Sequence, residues 1–204
     1  MNQFEVNANF SMSSYYDPKF KTDAVKVLPG EYYATDGEEM IVTILGSCVS
    51  VCLRDSYSGI GGLNHFLLPH DHSNRDTPLT ESARYGVYAM ELLVNHLLKL
   101  GAMRHRLEAK VFGGGKVIKD FTFANVGERN VSFVLEHLKQ EGIPIIARDL
   151  LDIYPRKVHF FPHSGRVMLK KINSLHNNNN LIELEKGYLR DVERKPIAGP
   201  IDLF

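Results

Sequence analysis

Thr43-Ile44-Leu45-Gly46-Ser47-Cys48-Val49-Ser50-Val51-Cys52-Leu53-Arg54-Asp55 decides how this chain is read. β-Branched and apolar residues flank a Gly-Ser pair, so the stretch predicts two strands, Met40 to Leu45 and Val49 to Leu53, broken by a tight turn. Cys48 falls where one strand ends and the next begins, beside small residues that let backbone approach closely. Backbone N–H groups at such a turn, those of Ser47 or Cys48, suit a developing oxyanion. Removing one such donor from a known hydrolase costs about 3 to 4 kcal/mol, so Gly46 and Ser47 matter as much as the thiol.

Downstream, Asp55 to Gly59 supplies a turn and Ile60 to Leu68 a further apolar run that opens on Gly61-Gly62. The three strands are expected to be neighbours in one sheet, because consecutive strands usually pair. Strand alternation puts His65 on the side of Leu63 and Leu67, opposite Asn64 and Phe66. A histidine among leucines must find a partner. Beside Cys48 it would lower the thiol pKa and supply the base of an acyl-transfer pair. Thr43, in the preceding strand, is the hydroxyl expected to hold the imidazole tautomer. The bland alternatives are an inert packed cysteine and a satisfied core histidine.

Further out, Glu81 to Leu100 and Gly127 to Glu141 carry apolar residues at helical spacing: Met90, Leu93, Val94, Leu97 and Leu98 in the first, Val131, Val134, Leu135 and Leu138 in the second. Gly101 and Gly142 stand at their stops. Leu107 to Phe112, Ile143 to Asp149, Lys157 to Phe161 and Arg166 to Ile172 read as strands, the last two joined by a hairpin turn at Pro162 to Gly165. Many strands and two amphipathic helices predict a single α/β domain with helices covering one sheet face. Residues 1–23 lack periodicity and read as a flexible arm, 24–172 as the domain, and 173–204, with its asparagine run and prolines, as a weakly ordered tail.

The chain has 204 residues, 44% of them apolar, enough for one substantial core. Its 24 basic and 24 acidic residues cancel, which removes the electrostatic footprint expected of a nucleic-acid binder. Neither a leader nor a long apolar span is legible, so a cytoplasmic protein without membrane insertion is expected. Cys48 and Cys52, four apart in a strand, would be about 13 Å apart at ~3.3 Å per residue, too far for a disulfide. Free thiols fit a reducing compartment, and Cys52 reads as core.

Two other features carry weaker signals. Gly113-Gly114-Gly115-Lys116 lacks the phosphate-loop spacing and reads as a strand-to-loop turn near the site. His70-Asp71-His72 has no distant matching ligands and reads as solvated chain rather than a metal site. His159 and His163 read as strand and turn residues.

The stretch from Thr43 to Asp55, followed by Gly61-Gly62-Leu63-Asn64-His65-Phe66-Leu67-Leu68-Pro69, resembles the signature of the CheD family of chemoreceptor glutamine deamidases. Ala83-Arg84-Tyr85-Gly86, Lys110 to Lys116, Gly127-Glu128-Arg129-Asn130, Arg156-Lys157-Val158 and Ser164 to Val167 extend the likeness over roughly Ala24 to Ile172. The resemblance implies a three-layer α/β/β sandwich and a cytoplasmic hydrolase that turns glutamines of methyl-accepting chemotaxis receptors into glutamate, with no metal or organic cofactor. Cys48 matches the family nucleophile and His65 its base, and Thr43 is placed as the third member. The likeness lapses at Leu150-Leu151-Asp152-Ile153-Tyr154-Pro155, where a glycine-rich link is expected. That bears on loop shape and partner contacts rather than on chemistry.

Two rival readings remain open at this point. One is a non-catalytic adaptor that binds receptors or a CheC-type phosphatase through the same face. The other is a different cysteine acyl transfer, peptide cleavage or hydrolysis of receptor methyl esters, because all begin with thiolate attack.

Overall fold

The protein is described by a computed structural model that covers residues 13–68, 81–117, 126–172, 183–188 and 190–191. Along the chain run β1 (Ser13–Asp17), β2 (Thr22–Lys26), β3 (Tyr32–Thr35), β4 (Met40–Leu45), β5 (Val49–Asp55), β6 (Gly61–Asn64), α1 (Glu81–Lys99), β7 (Leu107–Gly113), α2 (Val126–Gln140), β8 (Ile145–Leu150), β9 (Arg156–Phe161) and β10 (Arg166–Lys171). A short helix follows at 183–188. The architecture is mixed α/β with two five-stranded sheets, ordered β1-β2-β4-β9-β10 and β3-β6-β5-β7-β8.

The expected single sheet containing β4, β5 and β6 is corrected by this topology. β5 and β6 pair antiparallel, but β4 lies in the other sheet, parallel to β2 and antiparallel to β9. The reason is the Gly-Ser-Cys connection. Its carbonyls are taken by a separate loop, with Gly115 N–H donating to Gly46 O and Gly114 N–H to Cys48 O, both at 2.7 Å. The chain is thereby steered from one sheet to the other instead of folding back on itself.

Alternation along β5 then sorts its side chains between two cores. Val49, Val51 and Leu53 join Met90, Leu93, Val94 and Leu97 of α1 and Val134 and Leu138 of α2. Each such side chain, once buried, contributes about 1.5–3 kcal/mol. Cys48 and Cys52 face the opposite way, among Ile41 and Leu45 of β4 and Val158 and Phe160 of β9. The second core therefore draws on both sheets, and Leu63 and Leu67 belong to it while Phe66 and Leu68 belong to the first. That is the parity expected around His65.

Both helices form where the apolar spacing places them, and Gly101 and Gly142 follow them with φ of 105° and 67°. Three strands, β1, β2 and β3, have no counterpart in the sequence reading. β1 lies in the expected flexible arm, and its residues are almost all exposed at a sheet edge, so no apolar alternation announces it. β3 is four residues long and half-buried. The expected weakly ordered tail contains the helix 183–188, whose Glu185 is 1% exposed.

Candidate active site

Thr43 projects from β4 on the face that carries Ile41 and Leu45, toward the other sheet. His65 leaves β6 with its backbone fixed on both sides: its N–H donates to Glu31 O at 2.9 Å and its carbonyl accepts from Gly30 N–H at 2.7 Å. Cys48 opens β5 from the turn. The fold thus brings Thr43, His65 and Cys48 together from both sheets, all of them buried.

The hydrogen bonds fix the imidazole tautomer. Thr43 Oγ1 donates to the Val27 carbonyl at 2.8 Å and lies 2.8 Å from His65 Nδ1. A hydroxyl has one proton, and it is committed to Val27, so Nδ1 carries the hydrogen and Thr43 accepts it. His65 Nε2 is left with a lone pair, buried and without a hydrogen-bond partner among the described residues. Cys48 Sγ and a ring nitrogen of His65 lie within 4.8 Å of each other. Burial pushes the imidazole pKa down to about 3, against a smaller upward pull from the Val27 carbonyl. Burial first, and then the charge of Glu185, push the Cys48 thiol well above its ordinary value. The pair therefore rests as neutral thiol beside neutral imidazole.

At the turn, the donors converge on one carboxylate. Gly46 N–H reaches Glu185 Oε1 at 2.8 Å and Cys48 N–H the same oxygen at 3.3 Å. Ser47 N–H and Ser47 Oγ both donate to Oε2, at 3.0 and 2.6 Å. The turn is held from behind through its carbonyls. Besides Gly114 and Gly115, Asn130 Nδ2 donates to Ser47 O at 2.9 Å, while Asn130 Oδ1 accepts from Leu68 N–H at 2.9 Å. Gly113 adopts φ 114°, and a Cβ there would fall 2.1 Å from Cys48 O, so only glycine allows this contact.

All five site residues expected from sequence, Thr43, Gly46, Ser47, Cys48 and His65, share this one location. The three glycines form the expected strand-to-loop turn beside it. Cys52 packs in the core between the sheets, and His159 approaches the Met168 carbonyl at 3.4 Å. His70 to His72 lie outside the described residues. Sequence reading missed Asn130 as a brace and Glu185 altogether. One signal for Glu185 was present: Leu181, Glu185, Tyr188 and Val192 recur at helical spacing, which puts a carboxylate in an apolar stripe.

Cys48, His65 and Glu185 are also ligand types that hold a soft divalent cation. Glu185 does not fit that role as placed, because four donors occupy the roughly four lone-pair positions of its carboxylate. No described helix is long and apolar enough to cross a membrane.

Comparison with known proteins identifies the family. A family profile described as CheD chemotactic sensory transduction matches residues 67–171. The chain is 54% identical to a probable chemoreceptor glutamine deamidase CheD of Herminiimonas arsenicoxydans, over all of both chains. It is 57% identical to a like-named protein, CheD 1, of Shewanella oneidensis over 93% of this chain and 92% of that one. A CheD of Methylobacillus flagellatus is 50% identical over 98% of each. The chain belongs to the CheD family. The CheD profile begins just after His65, whereas the likeness to these relatives runs across the turn and the imidazole as well.

The segment where this CheD chain lacks the expected glycines is ordered by other means. Leu151 and Asp152 take left-handed φ of 63° and 72°. Buried Arg156 gathers the carbonyls around them: its guanidinium donates to Asp149 O and Leu151 O, to Gly113 O at 3.3 Å and to Tyr154 O at 3.4 Å. It also pairs with Asp149 Oδ1 at 2.8 Å.

Proposed function

We infer that this chain is a chemoreceptor glutamine deamidase, and we propose Cys48 as its nucleophile, His65 as its acid and base, and Thr43 as the group that holds the imidazole. The observation that carries the reading is the placement of the Cys48 thiol beside an imidazole whose Nε2 has no hydrogen-bond partner among the described residues, at a turn whose N–H groups converge on a carboxylate. In the proposed sequence, Nε2 takes the thiol proton and the thiolate attacks the glutamine side-chain carbonyl carbon. The oxygen gains negative charge facing the N–H groups of Gly46 and Cys48. Collapse breaks the C–N bond, and the nitrogen takes the proton from the imidazolium and leaves as ammonia. Nε2 then deprotonates water, which attacks the thioester and releases glutamate and the thiol. Glutamine and water become glutamate and ammonia, with no cofactor in the balance.

The two cores, one between helices and a sheet and one between the sheets, support the three-layer α/β/β arrangement. The names of the relatives support receptors as substrates, and the sites would be the cytoplasmic helices of methyl-accepting chemotaxis receptors, met by a cytoplasmic enzyme. A CheC-type phosphatase is the second partner we propose, engaged on the same face.

Purified protein incubated with glutamine-bearing receptor cytoplasmic fragments should convert defined glutamines to glutamate, read peptide by peptide by mass spectrometry. Conversion should vanish with Cys48→Ala and fall by about 10²–10⁴ with His65→Ala. Stable receptor binding without conversion in the unaltered protein would instead support the adaptor.

A further inference from the structure

The deamidase reading leaves Glu185 unexplained, and the atoms around it suggest what it does. A glutamate side chain is the product of glutamine deamidation. Here one enters from a helix of the same chain, is 1% exposed, and spends both oxygens on the donors that would face the reacting group. Its carboxylate lies within 4.8 Å of both the Cys48 sulfur and a His65 nitrogen. Gly46 permits the approach, because a Cβ there would stand 2.8 Å from Glu185 Oε1.

A second anchor lies on the same helical face. Tyr188, three residues on, places its ring against Gly30, where a Cβ would come within 2.5 Å of Tyr188 Cε2, and its hydroxyl meets that of Tyr85. Leu184, one turn before Tyr188, is nonetheless 54% exposed. The helix is thus docked by Glu185 and Tyr188 rather than by general apolar burial.

We propose that the helix 183–188 is a built-in product mimic: Glu185 occupies the glutamyl side-chain subsite, and the segment must leave before a receptor helix can be deamidated. This rests on the deamidase reading. The donor pattern favours product over substrate. Ser47 N–H and Oγ both donate to Oε2, where an amide would present its NH₂, so a carboxylate satisfies the turn and an amide does so less well. The charge acts in the same direction. A carboxylate beside Cys48 opposes formation of the thiolate, whereas a neutral glutamine in its place would not. The docked state is therefore both occluded and unactivated, and its population sets the apparent affinity for receptor.

Glu185→Gln turns the mimic into a substrate. In the full-length variant, residue 185 should be recovered as glutamate by peptide mass spectrometry, at a rate independent of protein concentration. In Glu185→Gln combined with Cys48→Ala it should remain glutamine. Separately, Glu185→Ala and Tyr188→Ala should lower KM for receptor fragments, by about tenfold if nine molecules in ten are docked, with kcat retained. Persistence of the introduced glutamine in a Glu185→Gln protein that still deamidates receptor fragments, or its conversion only between molecules, would overturn the proposal, as would an unchanged KM in both alanine variants. Failure of the unaltered protein and of every variant to deamidate anything would remove the deamidase reading itself, and the mimic with it.

Discussion

Two loops meet at Gly113, and they solve the same problem with opposite chemistry. In the nucleophile turn, residues 46–48, the carbonyls are tied down by neutral donors, the N–H groups of Gly114 and Gly115 and the amide of Asn130. The N–H groups are thereby left aimed at the site. In the 149–155 loop the carbonyls of Asp149, Leu151 and Tyr154 converge on one buried guanidinium, and Lys116 N–H takes that of Asp152 at 2.7 Å. Neutral bracing points the first loop's donors into the site, where Glu185 now accepts them, while the charged brace lets the second dispense with glycine.

The largest effect should come from breaking the charged brace. Arg156→Ala leaves several carbonyls without donors in a buried place and deprives Asp149 of its partner, so a loss of about 3–5 kcal/mol in unfolding free energy is expected. Urea denaturation followed by far-UV circular dichroism measures it. Because Arg156 also holds Gly113 O, deamidation should fall in the folded fraction too. A loss below about 1 kcal/mol, the scale of one ordinary hydrogen bond, would mean that the loop carries itself and that the contrast between the braces is false.

The neutral side should be the one that acid reaches first. His65 has its pKa held near 3 in the fold against an ordinary 6.5, so the unfolded chain binds a proton that the native state refuses. The contribution is complete above pH 6.5 and is lost as pH falls toward 3, at about 1.4 kcal/mol per pH unit. His96, His137 and His159, also lowered by burial, add to the same slope. Urea midpoints measured between about pH 7 and 5 should therefore decline, and His65→Asn should flatten the decline by up to that one-proton slope. An unchanged slope would place the acid sensitivity in the other histidines. Across this range the Arg156 loop gives acid no comparable handle, because Asp152, held low by the Ile153 N–H and Lys171, titrates below it.

Much of the neutral turn was legible in sequence because its constraints are local. Gly46-Ser47 between β-branched runs announces a turn, and two-residue alternation puts His65 on the side of Leu63 and Leu67. Thr43 shares the face of Ile41 and Leu45 for the same reason. Periodicity does not say which sheet a strand joins, so β4 and β5 were read as neighbours when the turn separates them. Nor does it reach across the 137 or more residues that separate Glu185 from the N–H groups it accepts. Arg156 entered the sequence reading only as part of the family likeness, one residue before the expected strand Lys157 to Phe161, because the carbonyls it collects come from a loop with no side-chain pattern of its own.

The smallest effect tests whether the missing glycines matter. Leu151 at φ 63° and Gly114 at φ 68° have nearly the same φ, yet only one bears a side chain. Space makes the difference: a Cβ on Gly114 would meet Val131 Cγ2 at 2.4 Å and Gly127 O at 3.0 Å, whereas Leu151 is 41% exposed. The left-handed conformation costs a non-glycine residue about 1–2 kcal/mol. Glycine at 151 removes that cost but loses more entropy on folding, about 0.5–1 kcal/mol. Leu151→Gly should therefore stabilise the protein by roughly 0.5 kcal/mol, the difference of these two terms, with deamidation unchanged. Paired urea titrations of this variant and the unaltered protein can resolve the shift. A clear loss instead would show that the leucine side chain, and not the guanidinium alone, holds the loop closed over Gly113.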